Sequence, residues 1–260
     1  MSERVLVAMS GGVDSSVAAA LLHEQGYEVI GATMKLFCYG DDVPDRPCCS
    51  LDSINDARRV CERLGVPHYV LNLESAFGRD VIDDFVTQYA AGRTPIPCVR
   101  CNTFTKFRDL LHKADALEAQ WIATGHYART RSGELLRGRD ASKDQSYFLW
   151  GIDRAVVRRM LLPVGEMTKP ETRELARRFG LSVADKHDSQ DICFVPTGRY
   201  TEVIERLKPG AAEAGDIVDL DGRVLGAHAG IIHFTVGQRR GLGIAAGHPL
   251  YVVRLDAASR

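Results

Sequence analysis

A glycine turn joins an apolar strand to an amphipathic helix near the start of the chain, and this junction constrains the fold more than any other stretch. Val5 to Met9 are apolar at every position, as in a parallel strand covered on both faces. Val13, Val17 and Leu21 then recur at helical spacing. The pattern predicts an α/β protein in which the connecting loop lies at the carboxyl edge of a parallel sheet.

The turn itself, Ser10 to Ser16, has the composition of a phosphate-binding loop. Gly11 and Gly12 let backbone N–H groups approach an anion, and the following helix N-terminus adds donors and a favourable dipole. The serine hydroxyls are further donors. Asp14 would repel a phosphate unless a cation such as Mg²⁺ lies between them. The stretch is neither a Walker A loop nor a dinucleotide motif, and the alternative is an ordinary tight turn.

Bulk composition limits the remaining classes. A length of 260 residues, 45% of them hydrophobic and 26% charged, suits a large domain with a smaller one. No apolar run approaches the roughly 20 residues of a membrane helix, so we expect a cytoplasmic protein without membrane contact. Seven cysteines without a secretion signal predict reduced thiols. A net charge of −1 means that nucleic-acid binding would need a local basic patch.

The hydrophobic pattern predicts a large α/β domain at 1–208 and a small β-rich domain at 209–260. Strands and helices alternate in the first part, with further strands predicted at Glu28, His68 and Trp121. The last of these places His126 at the same rim as Ser10 to Ser16, because ligands bind beyond the carboxyl ends of such strands. Thr168 to Glu171 has the sequence of a capping box that opens a helix ending at Gly180. A Pro- and Gly-containing linker begins at Lys208. After it, alternation predicts a hairpin over 217–225 and a strand over 249–255.

The cysteines differ in what their surroundings predict. Cys98 and Cys101 form a C-x-x-C pair at a helix start, where the dipole and Arg100 would lower a thiol pKa, so they are candidate nucleophiles. No second pair completes a zinc site, and no metal site is predicted. Cys61 fits a helix core stripe, and Cys193, alone in sequence, fits either a core or a reactive thiol. Metal binding and simple exposure stay open for three cysteines of one loop: Cys38, Cys48 and Cys49.

The most basic stretch runs from Arg129 to Lys143, with five basic residues against Glu134 and Asp140. A solvated face is the plain interpretation of such a stretch. The donors and aromatics that follow it, up to Phe148, favour contact with unpaired RNA bases.

These motifs resemble those of a known family. The loop Ser10 to Ser16 resembles the signature of PP-loop ATP pyrophosphatases, which cleave ATP to AMP and pyrophosphate to adenylate a carbonyl oxygen. Their combination resembles the tRNA 2-thiouridylases, PP-loop enzymes that thiolate the wobble uridine of tRNA. Five further motifs carry this resemblance: Gly92-Arg93-Thr94-Pro95, Cys101-Asn102 with Lys106-Phe107, Ala123-Thr124-Gly125-His126-Tyr127, Lys143-Asp144-Gln145-Ser146-Tyr147-Phe148-Leu149, and Gly237-Gln238-Arg239-Arg240-Gly241-Leu242-Gly243.

The resemblance implies a parallel-sheet PP-loop domain of the adenine nucleotide alpha hydrolase-like kind, with ATP and Mg²⁺ as cofactors. Implied ATP contacts are Ala8, Met9, Ser10, Gly11, Gly12, Val13, Asp14, Ser15, Met34 and Gly125. Implied contacts with the target base are Ile96, Pro97 and Cys98, and with the rest of the tRNA they are His126, Lys143, Asp144 and Gln145. Cys101 would be the nucleophile, and Cys193 would carry the persulfide. A sulfur-donor or relay protein would supply the sulfur of that persulfide.

Two departures and two alternatives accompany this interpretation. The chain has Ile96 and Cys98 where many members have asparagine and aspartate, and it stops before the family's C-terminal β-barrel, as a fragment or a shortened member would. One alternative is that Cys98, Cys101 and Cys193 hold an iron–sulfur cluster. The other is a non-catalytic tRNA-binding protein with a relic loop. An amidotransferase-like synthetase would need a glutaminase domain, and none is found.

Two expectations follow for the structure. Cys101 and Cys193 should be brought together over the loop at Ser10 to Ser16. Because the loop is expected to be exposed, Asp14→Ala and Gly11→Ala should each abolish AMP formation with the fold intact, the new methyl at Gly11 blocking the approach of an oxyanion.

Overall fold

The chain is an α/β protein with a parallel sheet followed by a small β module. The computed structural model describes residues 2–37, 51–187, 192–195 and 198–259. Cys38, Cys48 and Cys49 lie outside the described residues. The strands are β1 (Arg4–Ala8), β2 (Glu28–Lys35), β3 (His68–Asn72), β4 (Trp121–Ala123), β5 (Ala128–Arg131), β6 (Glu134–Arg137), β7 (Met160–Leu161), β8 (Gly215–Val218) and β9 (Val224–His228).

Five of these strands form the parallel sheet, in the order β3-β2-β1-β4-β7. Val5, Leu6 and Val7 of the central strand are fully buried, as predicted from their unbroken apolar run. The predicted strands at Glu28, His68 and Trp121 are confirmed. β7 was missed, because an apolar run of this length does not distinguish a strand from a buried turn.

Helices cover the sheet and connect its strands. The α-helices are α1 (Val13–Glu24), α2 (Leu51–Leu64), α3 (Glu74–Phe77), α4 (Asp83–Ala90), α5 (Pro97–Cys101), α6 (Phe107–Ala116), α7 (Arg154–Val157), α8 (Lys169–Arg178) and α9 (Tyr200–Leu207). Segments Gly78–Ile82 and Asn102–Lys106 are π-helical, so residues 74–90 and 97–116 each form one nearly continuous helical run. Short 3₁₀ turns occupy Ser146–Leu149, Pro163–Glu166 and Ile231–His233.

Two local predictions about helices are confirmed. Cys61 lies in the core stripe of α2, where burial and the neighbouring charge of Glu62 raise the pKa of its thiol to about 11. Gly31 makes room for it, since a Cβ at Gly31 would lie 2.4 Å from the Cys61 sulfur. The capping box also forms: the Thr168 side chain accepts from the Glu171 N–H, and Glu171 accepts from the Thr168 N–H.

The small module contains the predicted hairpin, formed by β8 and β9 with an irregular register after Ile217. The strand predicted over 249–255 is wrong. Val252 makes two backbone hydrogen bonds to the turn at Gly237 and Gln238, but no ladder extends along the segment. Alternating apolar residues form a strand only when a partner strand runs beside them.

The chain divides into two compact units by its contacts. The first comprises Met1–Asp80 and Cys98–Pro196, and the second comprises Val81–Pro97 and Thr197–Arg260. In the second unit Tyr89 of α4 stacks on Tyr200 of α9 with ring centroids 4.7 Å apart. The domain boundary at residue 208 stays a prediction about independently folding parts. In the part of the chain that the structure describes, every helix is too short or too polar to cross a bilayer.

Candidate active site

The site is built where the order of the sheet reverses. From β1 the chain proceeds outward through β2 and β3, and then continues on the opposite side of β1 with β4. The loops after β1 and β4 therefore diverge and leave a crevice at the carboxyl edge, the usual ligand position in such sheets. A Cβ at Gly125, two residues after β4, would lie 2.4 Å from the Ser15 nitrogen. The predicted meeting of the two loops at one rim, which also places His126 there, is confirmed.

The loop after β1 is shaped by its own hydroxyl groups. Ser15 Oγ accepts from the Ser10 N–H at 3.1 Å and lies 3.2 Å from the Gly12 carbonyl, to which Ser16 Oγ donates at 2.8 Å. Both serine side chains are buried. No side chain caps the N-terminus of α1, so its first-turn N–H groups stay available to an anion. Backbone donors, more than hydroxyls, are therefore offered to a phosphate.

Asp14 is held by two residues from later in the chain. Lys169 Nζ lies 2.8 Å from each carboxylate oxygen, and the Tyr127 hydroxyl donates to Oδ1 at 2.9 Å. The Tyr127 oxygen also lies 3.0 Å from Thr172 Oγ1. The cation that the sequence requires beside Asp14 is therefore supplied, in this structure, by a lysine.

Gly11 has a structural role that the sequence did not reveal. The residue is buried, its φ is +69°, and a Cβ on it would lie 2.1 Å from the Ser53 carbonyl oxygen in the first turn of α2. Its own carbonyl accepts from Lys186 Nζ at 3.0 Å, and Lys186 also pairs with Asp56 at 2.7 Å. The expectation that Gly11→Ala leaves the fold intact is therefore wrong.

Gly11→Ala is expected to lower the free energy of unfolding by roughly 2–4 kcal/mol, because it combines a left-handed backbone with a clash against α2. Gly12→Ala is the matched control. Gly12 has a φ of −99°, and its Cβ would come no closer than 3.3 Å, to Ser10 Oγ. Urea denaturation should leave Gly12→Ala within about 1 kcal/mol of the natural chain. Equal losses in both variants would contradict this account of the loop.

Other predicted ATP contacts lie at the same edge of the sheet. Ala8 ends β1, and Met34 lies near the end of the neighbouring β2. Met9 and Val13 have buried side chains in the core. These two residues could reach a nucleotide only through their backbone. All ten predicted positions belong to the carboxyl ends of β1 and β2, to the loops after β1 and β4, or to the first turn of α1.

Cys98 and Cys101 lie on α5, in the helical run that ends at Ala116. Cys98 is half-buried in the first turn, whereas Cys101 is 4% exposed. Arg100, expected to act on these thiols, donates from Nε to the Asp80 carbonyl at 2.6 Å and lies over the Phe104 ring at 4.9 Å. Among the described residues Cys61, Cys98, Cys101 and Cys193 are all thiols, and no disulfide is formed.

The segments of Cys101 and Cys193 are anchored on the same short helical run. Next to Cys101, Arg100 binds the Asp80 carbonyl, and next to Cys193, the buried Phe194 packs edge-on against Phe77 at 5.7 Å between centroids. Phe77 and Asp80 are three residues apart, in a run that starts two residues after β3 at the carboxyl edge. This common anchor agrees with the expected convergence of the two thiols, and their meeting over the loop stays a prediction.

Three cysteines are the candidate ligands of an iron–sulfur cluster. Among the described residues, which include Cys98, Cys101 and Cys193, no three His, Cys, Asp or Glu side chains are placed to hold a metal ion. The donor set of an iron–sulfur cluster, with its converged thiolates, is therefore not assembled.

The segment Lys143 to Gln145 is tied to the same crevice. Asp144 accepts from the Gly138 N–H at 2.9 Å and from Ser146, and these bonds outweigh burial and lower the pKa of its carboxyl. Gln145 accepts from the Tyr127 N–H at 3.0 Å and donates its own N–H to the Tyr127 carbonyl at 2.8 Å. Asp144 and Gln145 thus shape their loop, and their contacts with tRNA stay a prediction.

His126 is neutral at physiological pH. Burial, with the charge of Lys106 adding to it, lowers the pKa of the ring to about 3, and Nδ1 lies 2.8 Å from Thr124 Oγ1. In the unfolded chain the ring takes up a proton near pH 6.5. The folded state therefore loses stability as the pH falls from about 6.5 towards 3.

His126→Phe should flatten that loss between pH 7 and pH 5, because phenylalanine binds no proton in either state. Since the natural ring is only partly buried, the difference in slope should stay below the limit of about 1.4 kcal/mol per pH unit for one proton. Urea denaturation of both proteins at several pH values measures it. Parallel curves would show that His126 does not titrate on unfolding.

The other two predicted base contacts, Ile96 and Pro97, lie at the start of α5, the helix that carries Cys98. Pro97 is buried at the first position of α5, and Ile96 before it is exposed. Sequence reasoning missed three residues of the site: Lys169, Lys186 and Tyr127. Tyr127 belongs to a motif that the sequence singled out, but no pattern gave its bond to Asp14. The lysines lie 155 and 175 residues from their loop partners, so only the tertiary fold identifies them.

Comparison with known proteins agrees with this arrangement. Residues 3–197 match the family model described as the tRNA methyl transferase HUP domain, and residues 204–260 match the tRNA methyl transferase PRC-barrel domain. A protein of Rhodopseudomonas palustris named tRNA-specific 2-thiouridylase MnmA is 61% identical over 99% of this chain. A protein of the same name from Nitrobacter hamburgensis is 59% identical over 99% of this chain. This chain spans 66% of the length of each.

A solved structure is similar at a greater distance. NMN synthetase from Francisella tularensis is 17% identical, with a TM-score of 0.48 over 85% of this chain and 80% of that one. That likeness is too distant to bear on function. The HUP-domain match covers three quarters of the chain and includes every residue of the crevice described above. The chain therefore belongs to the tRNA methyl transferase HUP-domain family.

Proposed function

We propose that the protein binds ATP at the loop Ser10 to Ser16 and uses it to exchange the 2-carbonyl oxygen of the wobble uridine of tRNA for sulfur. The observation that carries the proposal is the site at the switch point of the sheet. There an uncapped helix N-terminus offers backbone donors to phosphate, and both cysteine segments are anchored on a helical run from the same edge. The name of the relatives at 61% and 59% identity, tRNA-specific 2-thiouridylase, supports the same activity.

The chemistry assigned to the loop is activation of a poor leaving group. The uridine O2 attacks the α-phosphorus of ATP, the bond to the β-phosphate breaks, and pyrophosphate leaves. The N-terminus of α1 offers positive charge to the phosphates at this point, and the ammonium of Lys169 neutralises Asp14 beside them. ATP brings Mg²⁺ bound to its phosphates, and Asp14 is the loop carboxylate that could share that ion.

The chemistry assigned to the cysteines is sulfur transfer. A persulfide on Cys193, loaded by a sulfur-donor or relay protein, attacks C2 through its terminal sulfur, and AMP leaves with the former carbonyl oxygen. Cys101 then attacks the Cys193 sulfur, which releases the thiolated base and forms a Cys101–Cys193 disulfide. Alternatively, Cys101 first reduces the persulfide and frees hydrosulfide as the nucleophile. Either route ends in the disulfide, which a thiol reductant must reopen. Since ATP and tRNA are both available in the cytoplasm, the protein is expected to act there.

The test is release of AMP and pyrophosphate from radiolabelled ATP, with and without tRNA. We expect both products in equal amounts only with a tRNA that carries uridine at the wobble position, and the control is the same tRNA with cytidine there. ATP cleavage that ignores the wobble base would contradict the proposal. A non-catalytic tRNA-binding protein would release neither product.

The family is named for methyl transfer, whereas the relatives are named for thiolation. The site favours thiolation, because a methyl donor needs neither a pyrophosphatase-type loop nor two cysteine segments at one edge. Mass spectrometry of the tRNA product separates these reactions, since exchange of oxygen for sulfur and addition of a methyl group give different mass gains. A methylated product would reverse the assignment.

The hairpin of β5 and β6 predicts how tRNA phosphates are bound. Arg129 and Arg139 are engaged by Glu166 and Glu171, whereas Arg131 and Arg137 are exposed and have no ion-pair partner among the described residues. Changing Arg131 and Arg137 to alanine should lower the slope of log affinity against log salt concentration by about one unit per lost contact. Filter binding at several salt concentrations measures this slope.

The control for this prediction is Arg59→Ala on α2, an exposed arginine away from the hairpin that pairs with Asp56. Its slope should match that of the natural chain. If the two hairpin variants also leave the slope unchanged, the tRNA backbone does not cross β5 and β6.

A further inference from the structure

The side chain of Lys169 extends from the first turn of α8 to the nucleotide loop. Its ammonium is 2.8 Å from both oxygens of Asp14. The Lys169 side chain is 10% exposed and that of Asp14 is 29% exposed. An ammonium buried to this extent has lost most of its hydration, so it depends on the carboxylate facing it.

The position of Lys169 is fixed by contacts other than the ion pair. Its Nζ lies 5.7 Å from the centroid of the Tyr127 ring, whose hydroxyl donates to the same oxygen of Asp14. Its backbone N–H donates to Asp140 Oδ2 at 3.0 Å, and the Thr168 capping box holds the helix start. The ammonium is therefore held beside Asp14 before any ligand arrives.

Charge explains why a lysine belongs there. A triphosphate approaching the loop meets one carboxylate, and that repulsion must be cancelled. Among the described residues no group of three or more His, Cys, Asp or Glu side chains could hold a metal ion at Asp14 in advance of the nucleotide. Lys169 supplies a cation there from the chain itself.

We propose that Lys169 is a positioning residue whose ammonium is the fixed counter-cation of Asp14, and that it permits ATP to bind by cancelling the repulsion between Asp14 and the phosphates. The inference rests on the proposed function, because ATP is the ligand in question. It assigns Lys169 an effect exerted through Asp14, in contrast to a direct bond between lysine and phosphate.

The test is ATP binding by the full chain, measured calorimetrically in EDTA for the natural protein, Lys169→Met, Asp14→Asn and the double variant. Lys169→Met should weaken binding by at least about tenfold, because Asp14 is left uncompensated. Adding Asp14→Asn to Lys169→Met should return the affinity to within about threefold of the natural value, because the repulsion is gone. A direct lysine–phosphate bond predicts no such repair, and that result would overturn the proposal.

Lys186→Met is the matched control. Lys186 also reaches the loop, but it pairs with Asp56 and the Gly11 carbonyl. Any loss of ATP affinity in Lys186→Met should persist when Asp14→Asn is added. Repair there as well would mean that removing the Asp14 charge helps ATP non-specifically, and this too would overturn the proposal.

Urea denaturation of the same four proteins covers the case that Lys169→Met folds poorly. Asp14→Asn should destabilise the natural chain by removing the carboxylate that faces the buried lysine, yet stabilise Lys169→Met by removing a carboxylate that has lost its lysine. The same sign in both backgrounds would overturn the proposal. Absence of ATP binding by the natural chain would remove the proposed function as well, whereas natural binding with an unaffected Lys169→Met would remove only this inference.

Discussion

Replacing Cys101 or Cys193 with serine is expected to abolish thiolation of tRNA while leaving ATP binding intact. Serine keeps the size of the side chain but can neither carry a persulfide nor open one, so the loss should exceed about a thousandfold. ATP binding should persist because the loop at Ser10 to Ser16 uses neither thiol. Mass spectrometry of digested tRNA measures the first effect, and calorimetry measures the second.

Two further cysteine variants make that result specific. Cys61→Ala is the control: this core thiol, with its raised pKa, has no part in the reaction, so thiolation per folded molecule should be unchanged. Cys98→Ser separates the two sulfur chemistries. With a persulfide its loss should slow the reaction, whereas a cluster would lose a ligand and its absorbance together.

Thiolating activity that tracks iron content in protein purified without oxygen, and that vanishes in Cys98→Ser, would overturn the persulfide route. Cys101→Ser or Cys193→Ser that still thiolates would remove that cysteine from the mechanism.

Asp14→Asn is expected to reduce tRNA-dependent AMP formation by at least about a hundredfold, because the loop loses the carboxylate that could share the Mg²⁺ bound to ATP. The variant should also be less stable than the natural chain, by roughly 1–3 kcal/mol, since the buried Lys169 ammonium loses the carboxylate that faces it. On the sequence alone, replacing Asp14 is expected to leave the fold intact, because the loop is expected to be exposed. The ion pair with Lys169 means that stability is lowered as well. Rates should be normalised to folded protein measured by near-ultraviolet circular dichroism.

Full AMP formation by folded Asp14→Asn would remove this carboxylate from catalysis. Activity lost in proportion to unfolded protein would reduce Asp14 to a structural role. The double variant Asp14→Asn with Lys169→Met distinguishes these outcomes, because it should regain stability and stay inactive.

The sequence predicted the parallel sheet because its evidence is local. An unbroken apolar run, a glycine turn and helical spacing each lie within a few residues, and β1 with α1 formed as expected. The prediction of a strand over 249–255 was wrong because an alternating pattern indicates one exposed and one covered face but does not show whether a partner strand is present. β7 failed for the opposite reason, since two residues carry no period at all.

The candidate site was predictable only in part for the same reason. Ser10 to Ser16 could be recognised as an anion loop, and Gly125 could be placed at its rim by sheet topology. What the loop touches could not be derived: Gly11 faces the α2 backbone, and Asp14 faces Lys169 and Tyr127. The contacts of Asp14 join residues more than a hundred positions apart, and that of Gly11 reaches Ser53, 42 positions away, so no spacing rule encodes them.

Oxygen labelling shows whether ATP activates the uridine O2. An anticodon stem-loop RNA is prepared with ¹⁸O at O2 of the wobble uridine, thiolated with ATP and a sulfide source, and the nucleotides are analysed by mass spectrometry. If ATP activates O2, AMP gains the label in amounts equal to the thiouridine formed, and pyrophosphate gains none. Unlabelled AMP alongside thiolated RNA would contradict it, since the oxygen would then have left C2 by another route.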